Sequence, residues 1–403
     1  MQKKKNKIIL LSVAIFIFIN FLVYIITTVN KEQRIDSALN KNITLLKDNY
    51  NVILNMKQKS IDIMFESILI KTDIVDILKK ANKTKSDKEL NKLRIKLLKS
   101  LELEFELMKK RGVKLGLITL SNNKGFLRLH KPDIFGDDIS KIRYSIEKVS
   151  KEHKILRGFE KGKISYAIRN IYPIFDENGV FLGSFDISFH ISILEKIISS
   201  MTNIDAHLLI HKDILNIKKV KDIDNVEYIP SVESSDYKTI KCKRTNHDEM
   251  YHILLESEYS KLNQDIKKGM KKEKPFSVYF YNKDTIKVVS LLPIKNIKND
   301  KTVIWLVSHK KNNFIKITLK SVLVVRVVFF VLSLILVYFF YKILLQKYVL
   351  NERIKKQTQE LKESNQKLKE LTQHQEIIIE EQIKVANEQR DKAQSYANAK
   401  SIK

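Results

Sequence analysis

Residues 157–189 have the sequence RGFEKGKISYAIRNIYPIFDENGVFLGSFDISF, in which two apolar segments flank a short polar turn. The turn is Asp176-Glu177-Asn178-Gly179. Asn-Gly between apolar runs is a strong signal for a β-hairpin. We therefore predict strands near Ile164–Ile174 and Val180–Ser188 that pair in antiparallel fashion.

The same alternation of apolar runs and turn residues continues on the N-terminal side of this hairpin. Eight of the nine glycines fall between Gly112 and Gly183, where short apolar runs alternate with turn residues. These runs predict three further strands and one helix: strands Leu115–Leu120, Phe126–His130 and Lys154–Phe159, and a helix from Asp138 to Val149. The expected module is an antiparallel sheet of about five strands.

Residues 31–110, which precede this module, predict helices. They contain no Gly or Pro, and apolar residues recur at spacings of three and four from Ile35 to Met56. We expect a long helix, followed by shorter helices around 60–80 and 86–110. The fold class is therefore α+β, with sheets packed on a long helix.

A second, weaker copy of the pattern follows the first. A helix is predicted at Ile191–Ser200, and residues 212–274 predict loops, a strand and a helix near Glu256–Lys271. The predicted strands are Ala206–His211, Phe276–Tyr281, Thr285–Leu292 and Thr302–His309.

Two apolar runs enclose these modules, at residues 8–29 and 321–345. The first has 22 residues and extends about 33 Å as a helix, enough to cross a hydrocarbon core of about 30 Å. A cleaved signal peptide is the alternative, but the run is long and lacks a small-residue cleavage site. Arg326 lies about one turn inside the second run and is expected to reach the interface.

The short flanks of these runs set the expected orientation. Four lysines precede the first run, and five Lys or Arg residues follow the second between Lys342 and Lys356. Positive flanks favour the cytoplasmic side. The predicted layout is a cytoplasmic tail (1–7), a span (8–29), a periplasmic domain (30–317), a span (321–345) and a cytoplasmic helix (346–403).

Composition excludes several classes of protein. The 403 residues carry a net charge of +28, which could suit nucleic acid or an anionic membrane surface, but the excess is spread along a Lys-rich chain and Arg is sparse, so nucleic-acid binding is not expected. The single cysteine, Cys242, allows no internal disulfide and no cysteine-based zinc site. Glycine loops for phosphates or dinucleotides are absent, and no histidine pair has convincing ligand spacing, so neither a cofactor nor a metal site is expected.

Phe126–Arg143 and Arg157–Phe189 together resemble the membrane-distal module of double Cache sensor domains. Such domains occur on histidine kinases, diguanylate cyclases and chemoreceptors. The resemblance covers roughly residues 31–317 and implies two tandem PAS-like modules, a distal one at about 112–190 and a proximal one at about 203–310. The Tyr/Arg/Trp/Asp pattern of the amino-acid-binding branch is absent, which argues against an amino-acid ligand.

Polar residues are concentrated in the distal module, and five of them are candidates for ligand binding. An arginine on a concave sheet face offers a planar fork that suits a carboxylate or a phosphate. Alternation along strands places Arg128 and His130 on one face of the sheet. It places Tyr166 and Arg169 on opposite faces unless a bulge intervenes. The candidates for a small, anionic ligand are Arg128, His130, Arg143, Tyr166 and Arg169.

A structural role is the alternative for these and neighbouring residues. Asp137 and Asp138 are placed to cap the helix predicted from Asp138, and Arg143 could pair with Asp138 or Glu160. Several nearby glycines, including Gly136, Gly158 and Gly162, could simply permit turns.

The segment from Gln346 onward predicts one cytoplasmic helix with a weak coiled-coil repeat. Apolar a and d positions include Ile354, Leu361, Leu368 and Leu371, but several others are Gln or Ser. Residues 388–403 resemble the linker entering the dimerisation helix of hybrid-type histidine kinases. His374 lacks the neighbours of a phosphoacceptor box, so no catalytic activity is expected of this chain.

These patterns favour the sensory half of a bacterial two-component receptor in the inner membrane, acting as a homodimer. A kinase module and response regulator would be its partners, with the kinase module lost by truncation or frameshift or supplied by a separate polypeptide. The alternative is a stand-alone membrane binding protein that modulates another receptor through its coiled coil. A complete kinase or cyclase is the least favoured interpretation.

Overall fold

The structure is a computed structural model, and it describes residues 2–162, 166–202, 205–215, 228–231, 233–240, 260–282 and 285–400. The chain divides into two compact units. We call Lys31–Lys320 the α+β unit, and Met1–Asn30 with Ser321–Lys403 the helical unit. Cys242 and the turn residues Lys283 and Asp284 lie outside the described residues.

The described residues form eight helices, of which the first and the last include the two apolar runs. They are α1 (Gln2–Lys71), α2 (Ile74–Lys83), α3 (Asp87–Lys110), α4 (Tyr144–Glu152), α5 (Ser192–Thr202), α6 (Lys212–Leu215), α7 (Ser260–Met270) and α8 (Asn313–Lys400). Ser86 caps the start of α3: its hydroxyl accepts a hydrogen bond from the backbone N–H of Glu89 and so satisfies one free donor of the first turn.

The distal module contains a five-stranded antiparallel sheet in the order β2-β1-β5-β4-β3, as the sequence predicts. Its strands are β1 (Val113–Leu120), β2 (Gly125–Arg128), β3 (Leu156–Lys161), β4 (Tyr166–Phe175) and β5 (Phe181–Phe189). The hairpin between β4 and β5 closes where predicted. Asp176 Oδ1 accepts hydrogen bonds from the backbone N–H groups of Asn178 and Val180, and Gly179 has a φ of 78°.

The proximal module contains a six-stranded antiparallel sheet in the order β7-β8-β6-β11-β10-β9. Its strands are β6 (Asp205–His211), β7 (Tyr228–Pro230), β8 (Tyr237–Ile240), β9 (Phe276–Asn282), β10 (Thr285–Lys295) and β11 (Thr302–Lys311). The four predicted strands are present. Of the helix predicted at Glu256–Lys271, residues 256–259 lie outside the described residues, and Ser260–Met270 form α7.

One hydrophobic core runs through both modules. It joins buried residues of α1, such as Leu46 and Ile68, to Phe185 in the distal sheet and to Leu208 and Ile304 in the proximal sheet. A hydrogen bond from the backbone N–H of Ile297 to the carbonyl of Phe159, at 2.7 Å, links the two modules directly. The two modules are therefore joined by continuous apolar packing.

Two helix predictions are wrong in their boundaries. α1 continues to Lys71, so the predicted helix around 60–80 is the end of α1 followed by α2. Thr72 marks the end of α1, since its N–H and its hydroxyl both donate to the carbonyl of Ile68. Without Gly or Pro at this point, the sequence carried no strong signal for the break.

The helix predicted from Asp138 begins only at Tyr144. Asp137 and Asp138 therefore do not cap it: Asp138 accepts hydrogen bonds from the N–H and hydroxyl of Ser140. The first turn of α4 is capped by a residue of β3: Glu160 Oε1 accepts a hydrogen bond from the backbone N–H of Ser145 at 2.8 Å. A cap contributed from β3 could not be read from the sequence near the helix.

The helical unit contains two helices that are long and apolar enough to cross a membrane. Arg326 bonds to the first apolar helix: its Nε donates to Thr27 Oγ1 at 2.9 Å and its Nη2 donates to Thr28 Oγ1 at 2.7 Å. A second polar contact joins Asn20 Nδ2 to Ser333 Oγ at 2.9 Å. These hydrogen bonds satisfy polar groups that would be costly in lipid.

Candidate functional site

A narrow cleft with a cavity volume of about 40 Å³ lies on the distal sheet. Residues of β1, β4 and β5 form its floor, and the segment from Leu129 to Arg143 lies over it. In the register, Asp186 of β5 stands opposite both Leu117 and Ile171, so its carboxylate is central in the sheet. The lining residues are Leu115, Leu117, Arg128, His130, Ile139, Ile142, Arg143, Gly162, Arg169 and Asp186.

Arg143 anchors a buried ionic network in this cleft. Its Nε donates to Glu160 Oε2 at 2.6 Å, and its Nη2 donates to Asp186 Oδ2 at 2.8 Å. Burial disfavours the charged guanidinium, but the attraction of the two carboxylates outweighs burial and raises the pKa of Arg143. The same Glu160 caps α4, so this network also positions the helix beside the cleft.

Arg169 approaches the same aspartate from the neighbouring strand. Its Nη1 lies 3.3 Å from Asp186 Oδ2 and 3.4 Å from Ser188 Oγ. Complete burial, and secondly the charge of Arg143, lower the pKa of Arg169 to about 10. Burial would raise the pKa of Asp186, but the two arginines outweigh it and hold that pKa below its ordinary value. Asp186 is thus an ionised carboxylate shared by two buried cations.

Arg128 forms the rim of the cleft. Its Nη1 and Nη2 donate to the two oxygens of Asp137 at 2.8 and 2.9 Å, in a bidentate pair. Nη1 also donates to the carbonyl of Ile134 at 2.7 Å. The Arg128 side chain is only 7% exposed, whereas that of Asp137 is 29% exposed. Asp137 therefore holds the covering segment onto the arginine from the solvent side.

His130 follows the end of β2 and is partly buried. Its Nδ1 lies 3.2 Å from the carbonyl of Gly116, a geometry in which a neutral imidazole donates. Burial is the main cause that lowers the pKa of His130 to about 4, while the hydrogen bond to the Gly116 carbonyl and the charge of Asp186 act in the opposite direction. At neutral pH the ring therefore contributes no charge to the cleft.

The structure brings together four of the five residues that the sequence singled out: Arg128, His130, Arg143 and Arg169. The side chain of Tyr166 lies outside the described part of the chain. Sequence reasoning named neither Asp186 nor Glu160 as part of the site. The available signal for Asp186 was that it is the only charged residue within the strand Phe181–Phe189.

The lowered pKa of His130 predicts a stability that depends on pH. Because this pKa lies below the ordinary 6.5, the folded state resists protonation, so stability is complete above about pH 6.5 and is lost as the pH falls toward 4. Between pH 7 and pH 4, His130 should account for a loss of about 2–3 kcal/mol in the free energy of unfolding.

Urea unfolding of the wild type and of His130→Gln at pH 7, 5 and 4 would measure this effect. Gln can still donate to the Gly116 carbonyl but does not titrate, so the variant should lose less stability on acidification. The difference between the two proteins cancels contributions from other groups, including His207. Identical pH dependence in both would show that His130 is not the responsible group.

No family model matches the chain, and no curated protein matches it. Solved structures are similar to it. One is a domain of a sensory box/GGDEF family protein from Vibrio parahaemolyticus, with 14% identity, covering 70% of this chain and 99% of that chain at a TM-score of 0.37. Another is the sensory domain of the Campylobacter jejuni chemoreceptor Tlp3 with isoleucine bound, with 12% identity, covering 71% and 97% at a TM-score of 0.39.

A third is the periplasmic domain of Vibrio cholerae LuxQ, with 10% identity, covering 68% of this chain and 99% of that chain at a TM-score of 0.35. The descriptions of the first two structures name a sensory box protein and a sensory domain.

Proposed function

We propose that this chain is a membrane receptor whose periplasmic α+β unit binds a small anionic molecule in the distal cleft. The observation that carries the proposal is the convergence of Arg128, Arg143 and Arg169 on one cleft, beside apolar walls such as Leu117 and Ile142. A few convergent polar groups within an apolar cleft are typical of small-molecule sites.

Asp137 occupies the place where an anionic ligand would bind. It is the most exposed carboxylate of the network, and it pairs with Arg128 in the manner of a ligand carboxylate. If Asp137 swings away, three arginines and two carboxylates, Glu160 and Asp186, remain, which leaves one net positive charge among the described residues. A monoanionic carboxylate or phosphate would restore neutrality, and its binding would release the covering segment.

The membrane part of the proposal is supported by the helical unit. Its two apolar helices have lysine-rich flanks at residues 1–7 and 342–356, which favours cytoplasmic termini and a periplasmic location for residues 30–317. The receptor would lie in the inner membrane with its sensor domain outside.

The output side of the proposal relies on α8. This helix runs without interruption from Asn313 to Lys400, through the second apolar run and into the tail. Its heptad residues Ile354, Leu361 and Leu368 are 50–65% exposed, and a second copy of the chain would cover them in a coiled coil. Ligand binding would shift the balance between two arrangements of this dimer, and a kinase module or response regulator would receive the signal. The chain itself acts as a receptor and not as an enzyme.

A screen of carboxylates and phosphates against the full chain in nanodiscs should reveal a compound that raises the melting temperature. With that compound, Arg128→Ala should weaken binding about 10- to 150-fold, since one charge-assisted hydrogen bond contributes about 1.5–3 kcal/mol. Arg128→Lys should recover only part of the affinity because it lacks the bidentate fork. Arg169→Ala should behave like Arg128→Ala if that arginine also contacts the ligand.

Asp137→Asn separates ligand binding from a structural role. Removing the competing carboxylate should strengthen binding of the anion, although it removes an ion pair from the free protein. Arg157→Ala, in the same module but outside the cleft, is the control and should leave the affinity of the folded protein unchanged. Unchanged affinity in both the Arg128 and Arg169 variants would refute the site.

A further inference from the structure

Three side chains that are far apart in sequence meet inside the proximal module. His207 lies in β6, His309 lies near the end of β11, and Glu233 lies between β7 and β8. β6 and β11 are paired, with His207 opposite Val307 and His309 opposite Asp205, so the two histidines are diagonal neighbours on one face. Their rings stack 5.1 Å apart at an angle of 4°.

The donor atoms of these residues converge. His207 Nε2 lies 3.0 Å from Glu233 Oε1, and His309 Nε2 lies 4.0 Å from the same oxygen. One ligand atom from each residue lies within 4.8 Å of the others. Zinc–ligand bonds of about 2.0–2.1 Å in a tetrahedral site place ligand atoms about 3.4 Å apart. At least one of the stacked imidazole rings would have to turn about its side-chain bonds to bring all three atoms onto one ion, because a metal lies in the plane of each ring that binds it.

Two further carboxylates lie near this cluster. The charges of Glu195 and Asp205 act on His207 in addition to that of Glu233. Glu233 is 2% exposed and Glu195 is 8% exposed, so neither charge is well screened by water. With neutral imidazoles, these three carboxylates leave an excess of negative charge that a divalent cation would compensate.

We propose that His207, His309 and Glu233 bind a divalent transition-metal ion. Two imidazoles and one carboxylate suit Zn²⁺, which commonly takes three protein ligands of this kind and one water. The site has an outer support as well: the hydroxyl of Ser231 donates to Glu233 Oε2 at 2.6 Å, which orients the carboxylate for metal binding. This site is separate from the distal cleft and does not depend on the function proposed above.

Metal binding would tie three parts of the proximal module together. His309 lies in the last residues of β11, shortly before α8 begins at Asn313. Glu233 lies in the segment between β7 and β8, at the edge of the sheet. An ion bound to both histidines and Glu233 would cross-link β6, β11 and this edge segment. We expect the proximal module to be more stable with Zn²⁺ than without it.

The test uses the untagged full chain in nanodiscs, freed of metal with a chelator. Zn²⁺ is titrated in competition with a chromophoric chelator, and Co²⁺ serves as a spectroscopic substitute. The wild type should bind one Zn²⁺ per chain, and its Co²⁺ form should show the strong visible absorption of a tetrahedral site. His309→Gln should weaken Zn²⁺ binding at least about 100-fold, because losing even an outer-shell partner costs 10- to 100-fold.

His374→Ala is the matched control, since this histidine is exposed on α8 and far from the cluster in the chain. It should bind Zn²⁺ as the wild type does. His207→Gln provides a second variant in case His309→Gln folds poorly, and the metal-free melting temperature of each variant reports folding separately. A wild type without saturable binding, or histidine-to-glutamine variants that bind Zn²⁺ normally, would overturn the site and leave a buried His–Glu pair in its place.

Discussion

Replacing Asp186 by asparagine should destabilise the α+β unit by about 3–5 kcal/mol. Asp186 is 1% exposed and accepts hydrogen bonds from the guanidinium groups of Arg143 and Arg169. The hydroxyl of Ser188 also donates to it. An asparagine would keep the volume but leave two buried cations facing one another with only Glu160 to compensate them, and uncompensated buried charge is among the costliest changes in a protein.

Urea unfolding followed by far-UV circular dichroism would measure this loss at pH 7. The control is Glu177→Gln, which removes the exposed carboxylate that pairs with Lys79 and should cause no measurable change. A double variant tests the same network. Arg169→Met removes one of the two cations, so Arg169→Met combined with Asp186→Asn should lower the free energy of unfolding by less than the sum of the two single changes. A loss below about 1 kcal/mol for Asp186→Asn would show that the network does not hold the sheet together.

Gly183→Ala should be equally severe, with a loss of about 3 kcal/mol or more. Gly183 lies in β5 at the centre of the distal sheet, where its φ is +147°. A Cβ atom at this position would lie 1.9 Å from the carbonyl oxygen of Thr119 on β1. Because the clash is with the backbone of the neighbouring strand, no side-chain rotation can relieve it, and β1 and β5 would have to separate.

Gly179→Ala provides the matched comparison within the same hairpin. Gly179 also has a positive φ, +78°, but a Cβ there would meet no atom within 4 Å. Its cost should be only that of a left-handed alanine, about 1–2 kcal/mol. Thermal unfolding of both variants would separate the two causes, and equal losses would show that the close approach of Thr119 is unimportant.

The sequence was informative where the signal is local. The β4–β5 hairpin could be predicted because Asn178-Gly179 sets the turn and apolar strands flank it. The start of α4 could not be predicted, because the helix is capped by Glu160, a residue of β3 that reaches the helix only after the sheet has formed. The predicted strand Phe126–His130 ends at Arg128 for a similar reason: the covering segment folds back to pair Asp137 with that arginine.

The candidate site shows the same division. The arginines of the glycine-containing distal module indicated a ligand site, and four of the five predicted residues line the cleft. Their carboxylate partners were harder to predict, since Asp186 meets Arg169 only through the pairing of β4 with β5, and meets Arg143 only when the segment before α4 lies over the sheet. The cluster of His207, Glu233 and His309 was missed altogether, because only the order β7-β8-β6-β11 brings these segments together.

The continuous core of the α+β unit has a consequence for how this fold could evolve. Residues near position 200 separate the two modules in sequence, yet Ile198 and Leu208 on either side of that position belong to the same core as Phe185 and Ile304. Recombination at this point would therefore cut through packed side chains and not through a linker. A distal module with a differently lined cleft would have to arise by substitution, or be inherited together with α1 and the proximal sheet.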